Sequence, residues 1–113
     1  MQEFNEVDPF MAAFREQADT GNKFIAVMVG SDNPETGKSW CPDCVVAQPH
    51  IQRIFEAANG SRVFIKGNVT REEWRGNAGH PFRQAPFNAG GVPCVGLFQG
   101  STQLYKVDDL GEF

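Results

Sequence analysis

The sequence predicts an α/β fold: a central mixed β-sheet flanked by helices. Three observations carry this. Phe24-Ile25-Ala26-Val27-Met28-Val29 is an unbroken apolar run of strand length, the pattern of a strand buried on both faces under helices. Segments of helical and strand character alternate from residue 8 to residue 69. The chain then ends on two short runs separated by Gly100-Ser101, which read as a hairpin. Strand–helix–strand units closed by a hairpin make a mixed sheet.

In chain order, Asp8-Pro9 opens a helix, with Asp8 as cap and Pro9 in the first turn. Phe10, Met11, Phe14 and Ala18 recur at helical spacing, and Gly21 is the stop. The strand 24–29 follows. A polar loop runs from Gly30 to Ser39, long for a strand-to-helix connection. A helix is expected from about Pro42 to Ala58, with Val45, Ile51, Ile54, Phe55 and Ala58 on its apolar side and Asn59-Gly60 at its end. Pro49 falls inside it and should kink the chain. Arg62 to Val69 reads as a strand. Glu72-Glu73-Trp74 suggests a short helix, and Phe82 and Phe87 should anchor the irregular stretch that follows. The hairpin is expected over Cys94–Gln99 and Gln103–Val107. Only six residues, Asp108 to Phe113, remain for a closing helix, so that helix should be short or missing.

The chain has 113 residues, enough for one domain (1–113) and one hydrophobic core. Its ten Phe should fill much of that core. With a net charge of −4 and no Lys/Arg cluster, nucleic acid and anionic membranes are poor partners. No apolar run nears the ~18 residues of a membrane span. Met1-Gln2-Glu3-Phe4-Asn5-Glu6 is polar and acidic, unlike a secretory signal. Three cysteines are too few for a disulfide scaffold. A reducing, cytoplasmic setting is the expectation, and there a close pair is catalytic or metal-binding.

The chemistry is carried by Cys41-x-x-Cys44, placed after a strand and loop at a helix start. The free N–H groups and positive dipole of a helix N-terminus stabilise a thiolate, the reactive form of cysteine. Cys41, at the open end, is the expected nucleophile, and Cys44, one turn deeper, the resolving thiol. Thiol–disulfide exchange through a mixed disulfide follows, with an external reductant to reset the pair. Trp40 should lie beside the reactive sulfur, and Pro42 suits the first helical turn. Asp43 favours the helix dipole but places negative charge near a thiolate. A cis Val92–Pro93 bond would set a backbone edge next to the pair, where an extended substrate segment could bind Val92 and Pro93.

Trp40-Cys41-Pro42-Asp43-Cys44, Pro49 in the following helix and Val92-Pro93 before the hairpin together resemble the thioredoxin superfamily. The string Gly37-Lys38-Ser39-Trp40-Cys41-Pro42-Asp43-Cys44 resembles one branch, the Clot-like or thioredoxin domain-containing protein 17 family. The resemblance spans roughly Phe10 to Val107. It implies a thioredoxin fold, a cytosolic disulfide reductase, Cys41 as nucleophile, Cys44 as resolving cysteine and Pro93 as cis-proline. It also implies electrons from NADPH through thioredoxin reductase, with no bound cofactor beyond the Cys41–Cys44 disulfide. Substrates would be protein disulfides or small disulfides such as cystine, with the 30–39 loop screening bulky ones. Cys94 departs from the family pattern, where Thr is expected. The family's buried carboxylate under the pair is absent from strand 24–29, leaving its job unfilled or passed to Asp43 or water. The short C-terminus would leave a sheet face partly open, which would favour weak self-association of a mainly monomeric protein or reflect a shortened chain.

Three other readings stand beside this one. Cys41, Cys44 and Cys94 with His50 or His80 could ligate zinc or an iron–sulfur cluster. The fold could serve as a redox-switched binding module. The pair could work in net oxidation or isomerisation, since direction depends on reduction potential.

Overall fold

The computed structural model describes residues 1–108. It holds β1 (Gln2–Phe4), α1 (Val7–Asp19), β2 (Lys23–Gly30), α2 (Pro42–Ala58), β3 (Val63–Val69), α3 (Arg71–Trp74), a 3-10 turn (Pro81–Arg83), β4 (Cys94–Gln99) and β5 (Thr102–Val107). The five strands form one sheet in the order β1-β3-β2-β4-β5. β3 runs parallel to β1 and β2, whereas β4 is antiparallel to β2 and β5. This is the expected mixed sheet with helices on its faces.

β2 is central, which explains its unbroken apolar run. Successive side chains point to opposite faces. Phe24, Ala26 and Met28 enter one core with Phe10, Phe14, Phe82, Phe87 and Phe98. Val27 and Val29 enter the other, with Cys41, Cys44, Ala47, Ile51 and Phe64. The first core is built from aromatic edges: Phe14 meets Phe24, Phe87 and Phe98 at centroid distances of 5.2, 4.8 and 5.1 Å. Such edge-to-face pairs add to the burial of the rings themselves.

Several expectations are corrected. β1 was not foreseen: a polar three-residue segment has no apolar signature, and it is held as an edge strand by β3. Glu6, not Asp8, is the cap residue of α1, without a side-chain bond, and Asp8 lies in the first turn. Val45 and Ile54 are exposed, because α2 turns Cys44, Ala47 and Ile51 inward instead. Phe55 and Ala58 are half-buried against the core. α2 continues across Pro49, and Asn59 ends it in the left-handed region at φ 47°. The question of a closing helix lies, beyond Asp108, outside the described residues.

The 71–89 segment is ordered by polar contacts rather than periodicity. Thr70 and Glu73 form a reciprocal capping box on α3. His80 is buried and caps the 3-10 turn, its Nδ1 accepting the Phe82 N–H at 3.1 Å. Phe82 and Phe87 are fully buried, as the sequence implies. Burial holds the His80 pKa below its ordinary 6.5. Protonation would also remove the acceptor. The unfolded state then takes up the proton first, so stability is full above about pH 6.5 and falls as pH drops below it. Urea unfolding at pH 7.5 and 5.5 should show this loss. His80→Asn, which keeps a capping acceptor but does not titrate, should flatten it.

Candidate active site

The site is assembled where β2 ends. Gly30, its last residue, is packed so tightly that a Cβ there would sit 2.8 Å from the Trp40 ring, 2.9 Å from Cys41 Cβ and 2.9 Å from Ser39 Oγ. The Gly30 N–H donates to Cys44 Sγ at 3.4 Å, and its carbonyl accepts from Ser39 Oγ at 2.8 Å. Ser39 Oγ in turn accepts the Cys41 N–H at 3.1 Å. The 30–39 loop is a small antiparallel excursion, closed by the Asp32–Ser39 bridge and a turn in which Gly37 adopts φ +73°. Its two ends meet at Gly30, which delivers Trp40 and Cys41 to the start of α2.

Cys41 is the N-cap of α2, and its sulfur accepts the Cys44 N–H at 3.2 Å. As a thiol it also donates to the Val92 carbonyl at 3.4 Å. The Val92–Pro93 peptide is cis. A second cis peptide, Ala85–Pro86, gave no sequence signal. Trp40 is half-buried, and its Nε1 donates to the Val69 carbonyl at 2.8 Å. Pro42 and Asp43 are exposed in the first turn of α2. Thus Trp40, Cys41, Pro42, Asp43 and Val92 line one groove, and Pro93 follows directly behind it.

The two thiols differ in surroundings. Burial, reinforced by the bond to Cys41, pushes the Cys44 thiol well up, against the Gly30 N–H that favours its thiolate. Among the described residues no carboxylate bonds to Cys44; a pocket of about 260 Å³, lined by Asp32, Lys38, Gln48, Lys66 and Asn68, reaches it from behind. Asp43 faces the other groove. Cys94 is fully buried at the start of β4, opposite Met28, and burial pushes its thiol up to about 12. That is the setting of an inert packing residue. Among the described residues no three His, Cys, Asp or Glu side chains gather to hold a metal, so Cys41, Cys44, Cys94 and the two histidines do not form the alternative ligand set. No helix among them is long and apolar enough to cross a membrane.

Residues 1–109 match the family described as thioredoxin domain-containing protein 17-like, thioredoxin domain. The chain belongs to this family. As a thioredoxin domain-containing protein 17-like chain, it is 35% identical over 88 residues to the thioredoxin-like protein Clot of Arabidopsis thaliana, covering 76% of this chain and 64% of that one. It is 38% identical over 64 residues to thioredoxin domain-containing protein 17 of Mus musculus, covering 57% and 51%. Acireductone dioxygenase of Leishmania infantum is 39% identical over 64 residues, but the chain spans only 19% of that protein's length. Among solved structures, thioredoxin NaTrxh of Nicotiana alata superposes with TM-score 0.63 at 15% identity, covering 98% of this chain and 84% of that one. This confirms the thioredoxin fold. A thioredoxin-like domain with Cys41 and Cys44 in contact supports a thiol oxidoreductase-type role.

Five residues were not named as site residues from the sequence: Gly30 and Ser39, which bond to the cysteines, and Trp74, Arg75 and Arg83, which also line the Cys41 groove. Ser39 stands inside the recognised string. Trp74 and Arg83 are nine positions apart across Gly and Pro, where no periodicity links them. The space at Gly30 is testable. Gly30→Ala should cost about 1–3 kcal/mol of stability through overpacking. It should also change the alkylation rate of Cys41, because the inserted methyl meets Trp40 and Cys41; urea unfolding and timed alkylation check both.

Proposed function

We propose that the protein is a disulfide reductase in which Cys41 is the nucleophile and Cys44 the resolving thiol. The observation that carries this is the Cys44 N–H donating to Cys41 Sγ at the opening of α2, beside the cis-proline edge. That donor and the N-cap position set Cys41 Sγ at the open, positive end of the helix dipole.

The Cys41 thiolate attacks one sulfur of the substrate disulfide. A Cys41–substrate S–S bond forms as the substrate's own S–S bond breaks, and the first substrate thiolate leaves and takes a proton from water. An extended segment lying along Val92 and Pro93 places its disulfide in line with Cys41. Cys44 is then deprotonated. While Cys41 is free, its bond to Cys44 and the charge of its thiolate help hold the Cys44 proton. Once Cys41 is in a mixed disulfide, that contribution is gone, leaving burial opposed by the Gly30 N–H. The proton leaves through the pocket behind Cys44 to water. The Cys44 thiolate attacks Cys41 Sγ, the internal disulfide forms, and the second substrate thiolate departs. Two electrons have passed from the dithiol to the substrate. They are restored from NADPH by a separate thioredoxin reductase, so no bound cofactor is required.

Protein disulfides and small disulfides such as cystine are the substrate classes, and the cytoplasm is the setting that keeps the pair reduced. The decisive assay follows NADPH oxidation with thioredoxin reductase, this protein and cystine. Turnover should appear, vanish in Cys41→Ser and survive in Cys94→Ser. In Cys44→Ser, the mixed disulfide should accumulate and be seen by mass. No turnover with cystine or a generic protein disulfide would overturn the reading.

A further inference from the structure

The groove on the Cys41 side has a volume of about 450 Å³, and besides the residues of the pair it is lined by Trp74, Arg75 and Arg83. Neither arginine pairs with an acid among the described residues, where the ion pairs are Lys66–Glu3 and Lys106–Asp108. Arg83 is fixed in place. Its guanidinium stacks on the Trp74 ring at 3.6 Å from the centroid, and one terminal nitrogen donates to the Trp74 carbonyl at 3.1 Å. Trp74 is itself buried, so this platform is rigid. The Arg83 Nε is buried without an acceptor. A half-buried, stacked and otherwise unpaired guanidinium is a costly arrangement for stability alone, since its donors have lost water and gained little. It is well suited to a planar anion, because the fork is already oriented. Arg75 is exposed on the same groove and adds a second positive charge. Among the described residues Asp43 is the single acid lining the groove, so with Cys41 as a thiol its side chains sum to one net positive charge, in a chain whose total is −4.

We infer that Arg83 and Arg75 form a carboxylate subsite beside Cys41, which selects disulfides carrying a carboxylate near the bridged sulfurs over neutral or cationic ones. This rests on the reductase reading for its physiological meaning. Arg83 binds the carboxylate from its Trp74 platform, Arg75 supplies attraction from the rim, and the disulfide is left over Cys41. Neither arginine touches the reacting sulfurs; both position the substrate.

The groove is tested independently of turnover by alkylating the reduced full-length chain with iodoacetate and with iodoacetamide. Both reagents attack the same Cys41 thiolate, so their rate ratio cancels any change in thiolate fraction and reports anion attraction alone. Relative to free cysteine in the same buffer, the wild-type ratio should be raised about 3-fold or more, and 1 M salt, with a Debye length of about 3 Å, should reduce it. Arg83→Gln and Arg75→Gln should each lower it, and Arg83→Lys should restore most of the loss. Should Arg83→Gln fail to fold, Arg75→Gln, an exposed residue, carries the test. A ratio that is the same in wild type and variants overturns the subsite.

In the coupled assay, the kcat/KM for 3,3′-dithiodipropionate over that for 2-hydroxyethyl disulfide should fall about 10-fold in Arg83→Gln, equivalent to about 1.4 kcal/mol. An amide-capped peptide disulfide with Asp beside the cysteine identifies the source of the carboxylate. Dependence on Arg83 in the peptide supports a protein substrate, dependence in the dicarboxylate supports a small disulfide, and dependence in neither overturns the proposal. If wild type reduces no disulfide at all, the reductase reading fails, while the alkylation ratio still decides the groove.

Discussion

The backbone N–H of Gly30 is 3.4 Å from Cys44 Sγ, and this tie between the end of the central strand and the first turn of α2 organises the rest. β2 carries a side chain into a core on each face of the sheet until its last residue, where there is room for none. The missing side chain lets Ser39, Trp40 and Cys41 close over the strand end. The 30–39 excursion can then leave and return at the same point, with Ser39 Oγ bonded to both the Gly30 carbonyl and the Cys41 N–H. Sheet, loop and helix therefore share one junction, and the positions of both sulfurs follow from it.

The opposite wall is fixed from the far end of the sheet. Val92, whose carbonyl accepts from Cys41, follows Gly90-Gly91, a stretch with little side-chain packing of its own. It is held by Asp108, just past β5, whose carboxylate accepts the Gly90 N–H at 2.9 Å and pairs with Lys106 at 3.2 Å. Lys106 also donates to the Asn88 carbonyl at 2.8 Å. Burial works to raise the Asp108 pKa, but the Gly90 N–H and Lys106 outweigh it and hold the carboxyl below its usual range. A glycine-rich segment next to Cys41 would otherwise sample many conformations; here, polar bonds to the hairpin supply the order that packing does not.

How much of this was legible follows from which interactions leave a pattern. β2 announced itself because burial on both faces demands apolar residues at every position. The cysteine pair did so because its chemistry fixes both spacing and position on a helix. β1 is one edge strand of three residues, set by pairing with β3 rather than by its own composition. α2 turned a narrower face inward than its apolar residues implied, because Cys44 and Ala47, small or chemically active, occupy the positions against the sheet. The Trp74–Arg83 stack joins two segments through a chain of local turns, each bonded within a few residues, and no repeat in the sequence encodes that.

The two sides of the pair face different media. Cys41 opens to a groove whose arginines outnumber its acid, whereas Cys44 backs onto a pocket under the 30–39 loop. The overall charge of −4 works against anion approach at long range. Screening confines that repulsion to about 8 Å at physiological salt. Inside that distance, a desolvated guanidinium acts through a lower dielectric and outweighs solvated acids elsewhere on the surface. Net charge thus describes the field far from the protein, while the groove sets the field close to the pair. An acidic chain can in this way present a locally basic mouth beside Cys41.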